Sequence, residues 1–211
     1  MLFRSPWGST GTKQAQDLFG RQVDGLLAGG VDAFVLETFQ DPNELAAALH
    51  AVRTRADLPV IAQMTVGEDG KSSYGADVEH LAAFLDEAGA DVIGLNCSVG
   101  PAAMLEAVER MARVTNRPLV AQPNAGVPRT VRDRKIYMAS PEYMAKHAKR
   151  LIASGAKLIG GCCGTTPEHI RLMADSVRAQ SPGRLQISLA LDRKSTRLNS
   201  SHTDISRMPS S

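Results

Sequence analysis

The chain has almost no surplus charge. Its 24 Lys and Arg face 22 Asp and Glu over 211 residues, and the last twenty residues hold 4 of the cations and 2 of the anions. The rest is balanced, which removes any electrostatic reason to expect nucleic acid or an anionic membrane surface as a partner. No apolar run approaches the roughly 20 residues of a membrane helix, and residues 1–13 lack the apolar centre of a secretory signal. A cytoplasmic location is the expectation. No GxGxxG follows the first strand-like run, and Gly8-Ser-Thr-Gly-Thr-Lys13 lacks P-loop spacing, so nucleotide binding has little support. Thiols are scarce as well, with three cysteines in all. An odd count argues against a disulfide framework, and the adjacent Cys162-Cys163 lacks the CxxC spacing of a redox pair.

What is present is a regular alternation. Short apolar runs at Val31–Leu36, Pro59–Met64, Asp91–Leu95, Pro118–Ala121 and Lys157–Ile159 alternate with amphipathic helix patterns. The runs are apolar on both parities, as in parallel strands buried on both faces. The helices are punctuated: Asp41-Pro-Asn-Glu44, Ser140-Pro-Glu and Thr166-Pro-Glu open them with a capping residue and proline, and Leu45, Leu49 and Val52 form a stripe behind the first. Gly29-Gly30, Gly89 and Gly155 stop them. Strand, helix and strand in this order predict right-handed crossovers and a parallel sheet. The folded part is expected over residues 14–191. Residues 1–13 read as irregular, or as a remnant of an upstream strand–helix loop, and the Ser-rich 192–211 as a disordered or non-native tail.

The chemistry-bearing residues choose between the two parallel architectures. Glu37, Thr65, Asn96-Cys97, Gln122-Pro-Asn124 and Cys162-Cys163 all fall at the C-terminal ends of successive strands. An open doubly wound sheet gathers ligands at one switch point, whereas a (β/α)8 barrel brings every strand end to one mouth. Five consecutive contributions favour an α/β barrel, of which about five of eight strand–helix units are present. Three thiols at two strand ends suit a metal with three protein ligands and one open position, the pattern of catalytic zinc. The competing reading makes each cysteine a small buried hydrophobe. Glu37 closes a strand expected to be buried, where an unpaired carboxylate is costly; it either binds substrate or caps and pairs locally. Asn96 and Asn124 either line the site or satisfy loop backbone. Thr65, Ser98 and Gly100 belong to the rim, and His169, in a first helical turn, reads as a surface or packing residue rather than a ligand.

Four motifs carry a resemblance. GLNCSVGP at 94–101, QPNAGVPR at 122–129, IGGCCGTTPEHIR at 159–171 and LETFQDPNE at 36–44 resemble the homocysteine-binding domain of homocysteine S-methyltransferases. IYMASPEYMAKHAKR at 136–150 is similar to bacterial proteins that fuse this domain to a methylenetetrahydrofolate reductase. The resemblance implies a (β/α)8 barrel, with zinc on Cys97, Cys162 and Cys163 and homocysteine thiolate as fourth ligand. It also implies Glu37 at the substrate amino group and methyl transfer from a donor to sulfur, giving methionine. A fused or separate folate or reductase domain is the implied partner. Two other readings stay open: a zinc-binding structural module without activity, and a barrel methyltransferase acting on another thiol or a selenol.

Overall fold

The computed structural model describes residues 10–178. The order is α1 (Thr12–Ala28), β1 (Phe34–Phe39), α2 (Pro42–Arg53), β2 (Val60–Met64), α3 (Val78–Glu87), β3 (Val92–Asn96), α4 (Pro101–Met111), β4 (Leu119–Gln122), β5 (Arg129–Val131), β6 (Arg134–Ile136), α5 (Pro141–Ala153), β7 (Ala156–Ile159) and α6 (Pro167–Arg178). Strands β1-β2-β3-β4-β7 pair in that order, all parallel, so each connection returns the chain to the same end of the sheet. This is the strand–helix succession of a (β/α)8 architecture, with five units described. Residues 179–191 of the expected folded part, the tail at 192–211 and most of the expected leader at 1–13 lie outside the described residues; α1 begins at Thr12, inside the stretch expected to be irregular.

Local chemistry accounts for the boundaries. Asp41 accepts a hydrogen bond from the Asn43 N–H at 2.9 Å, and Pro42 occupies the first turn of α2, where its missing N–H is no loss. Asp77 and Ser140 cap α3 and α5 in the same way. At the other ends Gly30, Gly89 and Gly155 adopt positive φ, ending helices as their glycine character required. The predicted stripe of α2 is real: Leu45, Leu49 and Val52 are buried against β2 and its neighbours. Each such side chain contributes roughly 1.5–3 kcal/mol by leaving water.

Burial on both faces holds for β2, β3 and β4 but not for the sheet margins. On the face turned from the helices, Gln63, Val92 and Val120 are buried, whereas Val35 of β1 is 54% and Leu158 of β7 36% exposed. Neither margin pairs with another strand among the described residues. Strand β1 also starts three residues later than its apolar run and carries an irregularity between Leu36 and Phe39. The β5–β6 hairpin has no counterpart in the sequence reading. Its turn places Arg132 (φ 49) and Asp133 (φ 61) both in the left-handed region, where a two-residue hairpin turn normally uses Asn-Gly or Gly.

Candidate active site

The C-terminal ends of β3, β4 and β7 bring the three thiols together. The sulfur atoms of Cys97, Cys162 and Cys163 lie within 4.8 Å of one another, and Cys97 Sγ is 3.7 Å from Cys163 Sγ. Two metal–thiolate bonds of about 2.3 Å at a tetrahedral angle set their sulfurs about 3.8 Å apart. The spacing therefore fits a shared soft metal ion. Two sulfurs held at this distance without a bond between them are free thiols.

The segment Gln122–Ala125 splints the two cysteine loops. Gln122 O accepts the Cys97 N–H at 3.0 Å, Pro123 O accepts the Cys162 N–H at 2.9 Å, and Ala125 N donates to Cys163 O at 2.9 Å. Asn124, 2% exposed, accepts the Cys163 N–H on its Oδ1 at 3.0 Å and donates its own N–H to Val99 O. Backbone–backbone pairing thus turns the QPNA motif into a jig that fixes where both sets of sulfurs project.

The two loops reach that geometry differently. Cys97 (φ 58) and Ser98 (φ 60) hold left-handed backbone without being glycine, a conformation costing about 1–3 kcal/mol at each residue. After β7, glycine does the work. A Cβ on Gly161 would collide with the Thr165 side chain, and Gly164 (φ 78) lies against the ring of Tyr137, leaving no room for one.

The electrostatics separate the thiols. Burial, followed by hydrogen bonding to Cys97 and the neighbouring thiolates, pushes the Cys162 thiol up to about 12. Cys163 goes the other way, its thiol held below the ordinary range chiefly by a hydrogen bond from the Tyr137 hydroxyl. Tyr137 is raised in return, first by that hydrogen bond, then by burial. Three sulfurs so close cannot all ionise without a cation to offset them, which is the condition under which metal uptake displaces protons. Nothing in the sequence marks Tyr137, which lies 26 residues from Cys163; the Ala139 N–H to Ala125 O bond brings its segment to the mouth.

The remaining expected residues are placed as follows. Glu37 is exposed rather than closing a buried strand, because β1 is a margin of the sheet; its Oε2 accepts from Asn96 Nδ2 at 2.6 Å and from Thr38 Oγ1 at 2.5 Å. Asn96, 1% exposed, spans from β3 to β1. Thr65 Oγ1 donates to Phe39 O at 3.3 Å, and Gly100 is the N-cap of α4. His169 is a packing residue. Its Nδ1 accepts the Thr166 N–H at 3.2 Å and its Nε2 reaches Ala139 O at 3.0 Å, so it caps α6 and pins the segment after the hairpin.

Comparison with known proteins agrees with this arrangement. Residues 4–177 match the sequence profile described as homocysteine S-methyltransferase. The chain is 36% identical over 182 residues to methionine synthase of Mycobacterium leprae and 38% identical over 176 residues to that of Mycobacterium tuberculosis. These stretches cover 83% and 81% of this chain but 15% of each relative's length. Among solved structures, the apo form of the homocysteine methyltransferase MmuM from Escherichia coli superposes with a TM-score of 0.66 at 24% identity, over 81% of this chain and 60% of that one. Its metallated form gives the same TM-score over 85% and 55%. On these matches the chain belongs to the homocysteine S-methyltransferase family.

Proposed function

We propose that this chain binds zinc through Cys97, Cys162 and Cys163 and presents homocysteine for methylation on sulfur, yielding methionine. The observation that carries the reading is the sulfur cluster: three thiols within 4.8 Å, with a 3.7 Å edge close to that of a tetrahedral zinc–thiolate centre, at the strand-end mouth of this fold. The donor set is soft and wholly anionic once deprotonated, which suits zinc better than a hard cation. The relatives' names support the substrate, since those proteins are called methionine synthases and a homocysteine methyltransferase.

Zinc on three thiolates carries a net charge of −1 and, when bound, supplies the Lewis acidity that keeps a substrate thiol deprotonated near neutral pH. The protein's part is geometric. The Gln122–Ala125 splint holds the three sulfurs so that one corner stays open. Glu37 offers a carboxylate to the substrate's ammonium, and Asn96 and Asn124 hold the loops that carry Glu37, Cys97 and Cys163. In the transfer the methyl–donor bond breaks, a carbon–sulfur bond forms, and the thiol proton leaves to solvent. The methyl donor arrives from a small molecule or from a partner domain such as a folate or reductase module. Free thiols of this kind persist in a reducing compartment, so the proposed setting is cytoplasmic.

Metal analysis and a methyl-transfer assay test the reading together. Purified chain should hold one zinc, Cys97→Ala and Cys163→Ala should each lose it, and donor methyl label should appear in methionine when the chain is assayed within its longer protein. Full zinc retention in both variants overturns the tri-thiolate site; zinc binding without transfer favours a structural module.

A further inference from the structure

Asn96 ends β3 immediately before the zinc-site cysteine Cys97, and its side chain is spent on β1. Its Oδ1 accepts the Thr38 N–H at 2.8 Å, and its Nδ2 donates to Glu37 Oε2 and to Thr38 Oγ1, both at 2.6 Å. Thr38 Oγ1 in turn donates to the same Glu37 oxygen at 2.5 Å. The amide has no choice of orientation. A backbone N–H can only donate, so Oδ1 must face Thr38 N, which leaves both N–H groups of Nδ2 for the carboxylate and the hydroxyl. The lock also accounts for Thr38 itself, whose φ of 66 places a β-branched residue in a backbone region it seldom adopts. With Asn96 buried to 1% and fully partnered, the strained turn is over-determined from below.

The consequence lies in what is left over. Glu37 Oε2 receives two hydrogen bonds, whereas Oε1 has no partner among the described residues. Resting on the homocysteine reading above, we infer that Asn96 is a positioning residue for amine recognition: through Thr38 it aims Glu37 Oε1 at the ammonium of an amino-thiol, while its chain neighbour Cys97 holds the sulfur end. One dipeptide then sets the distance between the two ends of the substrate. The site selects thiols bearing an α-ammonium group over plain thiols of the same length, because a carboxylate fixed by two hydrogen bonds has little freedom left to lose when the ammonium arrives.

The test compares two thiols that differ in that one group, homocysteine and 4-mercaptobutanoate. Binding of each to the zinc-loaded chain is measured by calorimetry, with zinc content determined alongside. Asn96→Ala should weaken homocysteine by about tenfold or more, as expected for a misdirected charge-assisted pair, and leave 4-mercaptobutanoate within about twofold at unchanged zinc stoichiometry. Thr38→Val removes only the exposed hydroxyl and should shift the ratio in the same direction by about threefold, covering the case in which the buried Asn96 variant does not fold. Equal losses for both thiols, or unchanged homocysteine binding in either folded variant, overturn the inference. Wild-type chain that holds zinc but prefers neither thiol also overturns it, whereas wild-type chain that holds no zinc overturns the proposed function on which it rests.

Discussion

The two cysteine-bearing strand ends solve one problem by opposite means. After β3, ordinary residues accept unfavourable backbone: Cys97 and Ser98 stand at positive φ, tied down by the Gln122 carbonyl and flanked by the Asn96 lock. After β7, the chain avoids that cost by using glycine, but its glycines are hemmed in by Thr165 and Tyr137. The first end is strained and the second is crowded. A strained end tolerates relaxation, while a crowded end tolerates no added atom, so the two should respond very unequally to matched substitutions.

The largest effect is expected at the crowded end. Gly164→Ala forces a Cβ into left-handed backbone at a cost of about 1–2 kcal/mol and drives it into the Tyr137 ring. Thermal unfolding should show a loss of about 2–3 kcal/mol, with zinc affinity falling at least tenfold. Ser98→Gly, the mirror experiment, should change stability by less than about 1 kcal/mol, since relief of strain offsets the greater freedom glycine gives the unfolded chain. Comparable losses in both variants would dissolve the distinction between the ends.

A second prediction sharpens the electrostatic side of the comparison. The Tyr137 hydroxyl holds the Cys163 thiol below its ordinary value, so Tyr137→Phe should raise it. In metal-free chain, the pH midpoint for alkylation of Cys163 by iodoacetamide should move up, and the rate near pH 7 should fall several-fold because less thiolate is present. An unmoved midpoint would mean that the tyrosine only fills space over Gly164.

The smallest effect belongs to the far end of β3. Asp91, just before the strand, accepts from Arg53 at 2.7 Å and from the Val60 N–H at 2.8 Å. Burial works against its charge, but these donors prevail and hold the carboxyl below its usual value. A carboxyl lowered by folding contributes stability above its unfolded value near 3.9, and that contribution is lost as pH falls through the folded value. Asp91→Asn should therefore lower Tm by a few degrees between pH 5 and 8, and the gap to wild type should close in acid as the lowered Asp91 carboxyl becomes protonated. A gap independent of pH would point to packing instead.

Much of this was legible in the chain, for physical reasons that can be named. Strands β2, β3 and β4 fall within a residue of their apolar runs because Pro59, Asp91 and Pro118 mark their starts and both faces are buried. Strand β1 slid by three residues because Val31 is apolar for another reason, packing half-buried against the core ahead of the strand, and because periodicity says nothing of a kink at Thr38. The hairpin was invisible: Arg129–Ile136 is mostly charged and exposed throughout, and its turn uses Arg-Asp where glycine would have announced it. The cysteines declared themselves by rarity and by flanking glycines. Tyr137 could not, since its role arises only when α5 and β7 carry the chain back beneath it. Glu37 was expected at a buried strand end; its strand turned out to be a margin, and Asn96 bears the burial instead.

The margins themselves have one further consequence. Val35 on β1 and Leu158 on β7 lie exposed on the same face of one sheet, at opposite edges, and the strands run parallel. Two copies of such a sheet can meet edge to edge in two ways: like margins pair antiparallel about a two-fold axis, and unlike margins pair parallel. The first joint closes on itself as a dimer, whereas the second leaves a β1 margin at one end and a β7 margin at the other and extends. The two joints differ in stoichiometry, so the order of any association through the sheet would report which margins meet.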